Sequence, residues 1–209
     1  LFKGKTMIDT DEFVVFKFKE KIDLRVQQFQ CFRDNSRIKA IFAVVDNITD
    51  SLKKGGKILI FGNGGSSTQS SHFAAELVNK FYYERKPLAA IALTADSANL
   101  TSIANDTDYK YIFSRQLEAL GKADDVAVGI STSGTSANIL NGLRAAKAMK
   151  LKTIALCGNH TGHLQQLDID VIISVPADDT PVVQEMHLFI LHIIAEMLEN
   201  NFSQDKGDQ

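Results

Sequence analysis

Five short apolar runs, at residues 57–61, 88–93, 126–130, 153–156 and 171–175, alternate along the 209-residue chain with longer stretches of helical character. No other feature narrows the possible folds as far. The runs are bounded by Gly, Ser, Asp or Pro and lack the polar–apolar alternation of a strand with one wet face, so they read as strands buried on both faces. Each interval between them has room for a crossover helix, which parallel strands require and which is almost always right-handed. The expected architecture is an α/β three-layer sandwich around a central parallel sheet of about five strands. In such sheets ligands bind beyond the carboxyl ends of the strands, near the reversal in strand order, so the loops there should hold the chemistry.

Ahead of the first run, apolar residues recur at Phe18, Ile22, Val26 and Phe29, and again at Ile38, Ile41, Val45, Ile48 and Leu52, both at helical spacing. Two amphipathic helices, over 11–32 and 36–54, are predicted, with Gly55 and Gly56 ending the second. The whole chain, 1–209, reads as one domain in which residues 8–55 form an N-terminal helical extension.

Hydrophobic residues make up 44% of the chain and charged residues 23%, ordinary globular usage, and the net charge of -2 offers no basic field for direct nucleic-acid binding. Cys31 and Cys157 stand far apart with no metal-type spacing, which fits a reducing compartment, the cytoplasm, better than a disulfide framework. The apolar stretch at 188–198 contains His192 and Glu196 and is shorter than the ~20 residues of a membrane span, so no membrane association is expected. The first ten residues do not read as a secretory signal. Met7 is a candidate natural start, in which case Leu1 to Thr6 would be a leader.

Two loops attract attention. The first strand runs into Gly62-Asn63-Gly64-Gly65-Ser66-Ser67 and then a helix, a glycine turn feeding a helix N-terminus where free N–H groups and the helix dipole favour an anion. It has neither a Walker A Lys nor the full dinucleotide spacing, and a purely structural turn is the competing reading. The third strand ends in Ser131-Thr132-Ser133-Gly134-Thr135-Ser136, five hydroxyls in six residues before another helix. Hydroxyls, a glycine and helix N–H groups together can cradle a phosphate monoester without a cationic side chain, although a single Ser would suffice to cap the helix. On the helix after the glycine loop, His72 and Glu76 share a face four residues apart, suited to a metal, to proton transfer or to a plain surface ion pair.

In order and spacing these signals resemble one family. Gly62-Asn63-Gly64-Gly65-Ser66, His72-Phe73-Ala74-Ala75-Glu76-Leu77, Ile91-Ala92-Leu93-Thr94, Asn105-Asp106, Gly129-Ile130-Ser131-Thr132-Ser133-Gly134, Asp178-Asp179-Thr180 and Gln184-Glu185-Met186-His187 are similar to segments of the phosphoheptose isomerases, of the sugar isomerase (SIS) fold. The resemblance runs over roughly residues 36–199. It implies a flavodoxin-like SIS domain that converts sedoheptulose 7-phosphate to D-glycero-D-manno-heptose 7-phosphate through an enediol, as a cytoplasmic homotetramer supplying lipopolysaccharide or capsule. By that resemblance Asn63, Gly64, Gly65, Ser66, Asn105, Asp106, Ser131, Thr132, Ser133 and Ser136 contact substrate. His72, Glu76, Gln184 and His192 are implied zinc ligands, with Glu76 and Gln184 also touching substrate, Glu76 as base and His192 as acid.

Gln69 stands where the family often has Asp, and Thr107-Asp108-Tyr109 departs from the family's more aromatic, glycine-containing stretch. Gln184 and His192 would lie about 12 Å apart along one helix, so they share an ion only if the helix bends or if two chains combine. Two other readings stay open: a non-catalytic SIS protein that binds sugar phosphates or associates with a replication initiator, and an isomerase of another sugar phosphate. The joint presence of Glu76 and His192 favours an enzyme.

Overall fold

The computed structural model describes residues 12–203; the expectations about Leu1 to Thr6 and a start at Met7 lie outside them. The chain opens with α1 (Glu12–Cys31) and α2 (Asn35–Lys53), within two residues of the predicted spans. Asp34 caps α2 by accepting from Ser36 N at 2.8 Å, and the positive φ of Gly55, 80°, lets the chain turn off it. There follow β1 (Ile58–Gly62), α3 (Gly65–Val78), β2 (Ala90–Ala92), α4 (Ser97–Asp106), a 3-10 turn (Tyr109–Tyr111) and α5 (Ser114–Leu120). The chain continues through β3 (Val126–Ser131), α6 (Ala137–Ala148), β4 (Lys152–Cys157), α7 (Gly162–Gln165), β5 (Val171–Ser174) and α8 (Thr180–Ser203).

All strand pairs are parallel, in the order β2-β1-β3-β4-β5. The chain therefore steps from β1 outward to β2 and returns across β1 to β3, and the loops leaving β1 and β3 part at that reversal. β1 and β3 are buried at every residue, as the continuous apolar runs require. The second run is shorter than its 88–93 pattern and not buried on both faces: β2 has a neighbour on one side only, and Ile91 is 39% exposed. Pro87, which has no N–H to give a ladder, precedes it.

Helices cover both faces. On one, Val44, Ile48, Phe73, Leu77, Met186, Ile190 and Ile194 of α2, α3 and α8 pack on Ile58, Ile60 and Val128. On the other, Phe113 just before α5, Leu117 of α5, and Ile139 and Leu143 of α6 meet Leu59, Phe61 and Ala127. At the amino end of the sheet the buried Asp125 accepts from Lys57 N (2.9 Å), Lys122 N (2.8 Å) and Lys57 Nζ (2.6 Å), pinning the starts of β1 and β3 together. The 24-residue α8 extends well beyond the apolar stretch at 188–198 and is long and apolar enough to cross a membrane by composition. Here Val183, Met186, Ile190, Leu191, Ile194 and Leu198 are spent on the core.

His187 lies on the same buried stripe, fully enclosed, with Nε2 3.2 Å from the Cys157 carbonyl oxygen and Nδ1 without a partner among the described residues. The carbonyl can only accept, so Nε2 carries a proton. Burial pushes its pKa down to about 4. In the unfolded chain the ring protonates below about pH 6.5, whereas the folded protein holds out until about 4, so stability falls as pH drops through that window. Between pH 7.5 and pH 5, urea unfolding should show wild type losing about 2 kcal/mol more than His187→Leu. An equal loss in both proteins would mean that the ring does not titrate this way.

Candidate active site

β1 ends at Gly62, and two residues, Asn63 and Gly64, carry the chain into α3. Gly64, with φ 53° and ψ -121°, occupies a conformation that L side chains rarely adopt, and as the residue before α3 it offers no side-chain cap. The buried Ser66 donates its N–H to the Asn63 carbonyl at 2.9 Å, closing the turn. A Cβ on Gly65 would come within 2.5 Å of Gln184 Nε2, so the bare glycine is what lets α8 lay Gln184 on this loop. The Asn63 amide is engaged on both sides with that of Asn138 on α6, and its Oδ1 also accepts from the Tyr109 hydroxyl at 3.1 Å.

Across the crevice, β3 ends at Ser131, whose hydroxyl donates to Ser136 Oγ at 3.2 Å. Thr132 is half-buried, its carbonyl taken by Gly158 N at 3.0 Å. Ser133 Oγ accepts from Thr135 N at 3.2 Å and meets Thr135 Oγ1 at 3.0 Å. Gly134 has φ 68°, and any Cβ there would collide with the His160 carbonyl oxygen, so this turn admits glycine alone. Ser136 is the residue before α6 yet makes no side-chain cap bond. Asn105 and Asp106 end α4 exposed to solvent, and their side chains bond to each other at 2.8 Å.

A third cluster lies on α3 and α8, where the packing of one helix on the other brings residues 120 apart into contact. His72 Nε2 is 3.0 Å from Glu76 Oε1 and 3.0 Å from His192 Nε2, and His192 Nε2 is 3.6 Å from Glu76 Oε1. Glu76 is half-buried, and loss of water pushes its carboxyl above the usual range despite the two imidazoles that pull it back. Its Oε2 is shielded from solvent and has no hydrogen-bond partner among the described residues.

Three donors bound to a tetrahedral ion at zinc distances stand about 3.4 Å from one another, and the observed 3.0, 3.0 and 3.6 Å bracket that value. Two imidazole nitrogens and a carboxylate oxygen are also the donor types zinc takes. The donors therefore fit a divalent cation. Gln184 does not join them in this chain: it sits on Gly65, about 10 Å along α3 from His72.

Residues 25–158 match the SIS domain family. The phosphoheptose isomerase of Thermodesulfovibrio yellowstonii is 48% identical over 177 residues, covering 85% of this chain and 86% of that protein. The chain belongs to the phosphoheptose isomerase family. The probable phosphoheptose isomerase of Thermoplasma acidophilum is 45% identical over 170 residues, 81% of this chain and 93% of its own. The solved structure of a phosphoheptose isomerase from Francisella tularensis superposes with a TM-score of 0.85 at 35% identity, covering 90% of this chain and 98% of that one.

This phosphoheptose isomerase fold also recruits residues that sequence reasoning passed over. Gln69, noted above only as a departure, is buried and donates from Nε2 to the Gln184 carbonyl at 2.6 Å, tying α3 to α8 beside the glycine loop. Arg85 and Glu199 form an enclosed ion pair beneath the His72–Glu76–His192 cluster. The available signal was an acid on the apolar stripe of α8, one position after Leu198. Asn138, in the first turn of α6, is a cap-forming residue type one position inside a helix, a weak signal that periodicity does not pick up.

Proposed function

We propose that this chain interconverts sedoheptulose 7-phosphate and D-glycero-D-manno-heptose 7-phosphate, a proton moving between C1 and C2 through an enediol. The observation that carries the reading is a carboxylate of raised basicity within 3.6 Å of two imidazoles, on helices that also frame the glycine loop. A pure sugar-phosphate binder has no use for such a group. The names of the relatives above support the heptose as substrate. Incubation of purified protein with a panel of ketose phosphates, followed by NMR, tests it: turnover of sedoheptulose 7-phosphate is expected, and turnover only of a pentose or hexose phosphate would reassign the substrate.

In this reading the phosphate rests on residues 131–136 and the α6 N-terminus, which places the carbonyl end of the sugar toward α3. Glu76 takes the carbon-bound proton, and Oε2, dry and without a partner among the described residues, is the more basic oxygen for that task. His192, whose Nε2 faces His72 and Glu76, would move the proton between the two sugar oxygens from its other ring nitrogen, Nδ1. His72, Glu76 and His192 would hold a divalent ion such as zinc, which when bound polarises the sugar oxygens. Oε1 faces the imidazoles, so the two oxygens of Glu76 divide the ligand and base roles that would conflict on one.

Gln184 would serve that ion only if a second copy of the chain supplies it, which is the reason to infer a homo-oligomer, and a tetramer on the family's pattern. Both cysteines are free, in keeping with a cytoplasmic enzyme. Protein purified without chelator should contain zinc or a similar ion by elemental analysis, and His72→Ala should lose it without unfolding, since the ligands lie outside the core. Full isomerase activity in metal-free protein would remove the ion from the reaction.

Substituting Ser131, Ser133 and Ser136 together by Ala should raise KM about tenfold or more while kcat falls far less, because hydrogen bonds to a charged group are worth about 1.5–3 kcal/mol each and a remote phosphate acts through binding. An unchanged KM in a folded triple variant would move the phosphate to the glycine loop.

A further inference from the structure

Asn138 is 2% exposed, and its side-chain hydrogen bonds join Asn63 of the glycine loop to the first turn of α6, just after the hydroxyl loop. Asn138 Oδ1 accepts from the N–H of Ile139 at 3.0 Å. A backbone N–H can only donate, so this bond fixes which end of the amide is oxygen. The rest of the network follows from it. Asn138 Oδ1 also accepts from Asn63 Nδ2 at 2.9 Å, and Asn138 Nδ2 donates to Asn63 Oδ1 at 2.8 Å. Asn63 Oδ1 receives a second bond from the Tyr109 hydroxyl at 3.1 Å. Both lone pairs of Asn63 Oδ1 are then used, as is one of its two amide hydrogens, so a single N–H of Asn63 remains for a ligand, held in one direction.

The bond to Ile139 has a second effect. Ile139 is the third residue of α6, and its N–H is one of those that a helix leaves unpaired and that the residue before the helix normally satisfies with its side chain. Here that residue is Ser136, and it makes no such bond. Because Asn138 satisfies Ile139 from inside the helix, the Ser136 hydroxyl is released toward Ser131 and the loop in which the phosphate is placed.

We propose that Asn138 is a positioning residue for the isomerase reaction, aiming the remaining Asn63 N–H at the sugar and freeing the Ser136 hydroxyl for the phosphate by taking over the cap of α6. This rests on the assignment of Asn63 and Ser131 to Ser136 as substrate contacts. The two parts act on different constants. Loss of Asn63 orientation lowers kcat, because a small misplacement near the reacting atoms is costly even when affinity is kept. Loss of the cap draws Ser136 back onto Ile139 N–H and weakens phosphate binding, with or without Asn63.

The test is a cycle of Asn138→Ala, Asn63→Ala and the double variant in the holoenzyme, with kcat for sedoheptulose 7-phosphate and the inhibition constant for inorganic phosphate read from the same preparations. Asn138→Ala should lower kcat about 10- to 100-fold, and should lower it no further once Asn63 is already Ala. Its phosphate inhibition constant should rise in both backgrounds. Asn138→Asp, which keeps the acceptor for Ile139 N–H and for Asn63 Nδ2, should retain more of kcat than Asn138→Ala does, an ordering that mere loss of packing does not predict. Additive effects of the two substitutions on kcat, or phosphate inhibition unchanged by Asn138→Ala, would overturn the assignment. Absence of turnover in wild type on any ketose phosphate would instead overturn the isomerase reading itself.

Discussion

Glu76→Gln should reduce kcat for sedoheptulose 7-phosphate by about 10²- to 10⁴-fold, the usual contribution of a general base, while inorganic phosphate still binds. The substitution keeps the size of the side chain and replaces its proton acceptor by an amide. The site is arranged to make that acceptor matter: burial raises the affinity of the carboxyl for protons, against the opposing pull of His72 and His192. The same substitution weakens any bound cation, because Glu76 Oε1 faces both imidazoles. Elemental analysis of the variant therefore belongs with the kinetics. If the variant keeps its metal and turns over at a near-normal rate, Glu76 is not the base. If it loses the metal, activity measured after adding back excess zinc separates the two roles.

The largest effect on stability is expected from Glu199→Leu, at about 3–5 kcal/mol, the range found when one partner of a buried ion pair is removed. Arg85 Nε lies 3.2 Å from Glu199 Oε1, with side chains 0% and 1% exposed. The carboxylate also accepts the N–H groups of Phe81 (2.9 Å), Tyr82 (2.6 Å) and Tyr83 (3.0 Å), so the loop after α3 folds around it. Arg85 in turn donates to the carbonyls of Leu77 and Glu76, both at 2.8 Å, at the carboxyl end of α3. Leu at 199 leaves a buried guanidinium unneutralised and three N–H groups without an acceptor. Urea unfolding of Glu199→Leu, Arg85→Met and the double variant measures this. The double variant should be more stable than the sum of the single losses, since it buries no charge; strict additivity would mean that the pair is not coupled.

The fold was legible because its central strands carry continuous apolar runs, 58–61, 126–130 and 154–157, a pattern that exposed or amphipathic elements do not produce. Legibility failed at the edge, where the run at 88–93 combines core residues Leu88 and Leu93 with a strand only three residues long between them. The 3-10 turn and α5, over 109–120, went unread because helices so short hold few periodic positions. In the site, His72 and Glu76 were visible as a helical pair and the hydroxyl loop as a composition. Nothing local connects either with His192, which packing brings in from 120 residues away and which only resemblance had suggested. Asn138 and the Arg85–Glu199 pair escaped for the same reason: each derives its meaning from a partner far along the chain, and spacing speaks only for neighbours.

The position of α8 at the end of the described chain has a consequence for biosynthesis. One face of the sheet is closed by α8, which supplies Val183, Met186, Ile190, Ile194 and Leu198 to its core and His192 to the cluster on α3. At translation rates of about 5–20 residues per second, the stretch from the end of β5 to the end of α8 takes about 1 to 6 seconds to make. Throughout that interval the nascent chain has four parallel strand pairings available, an apolar face that α2 and α3 cover only in part and no complete acid–base cluster. Ribosome stalling or premature termination between residues 175 and 190 would hold the polypeptide in its most adhesive form, so chaperone capture should be strongest there and should fall once α8 has docked.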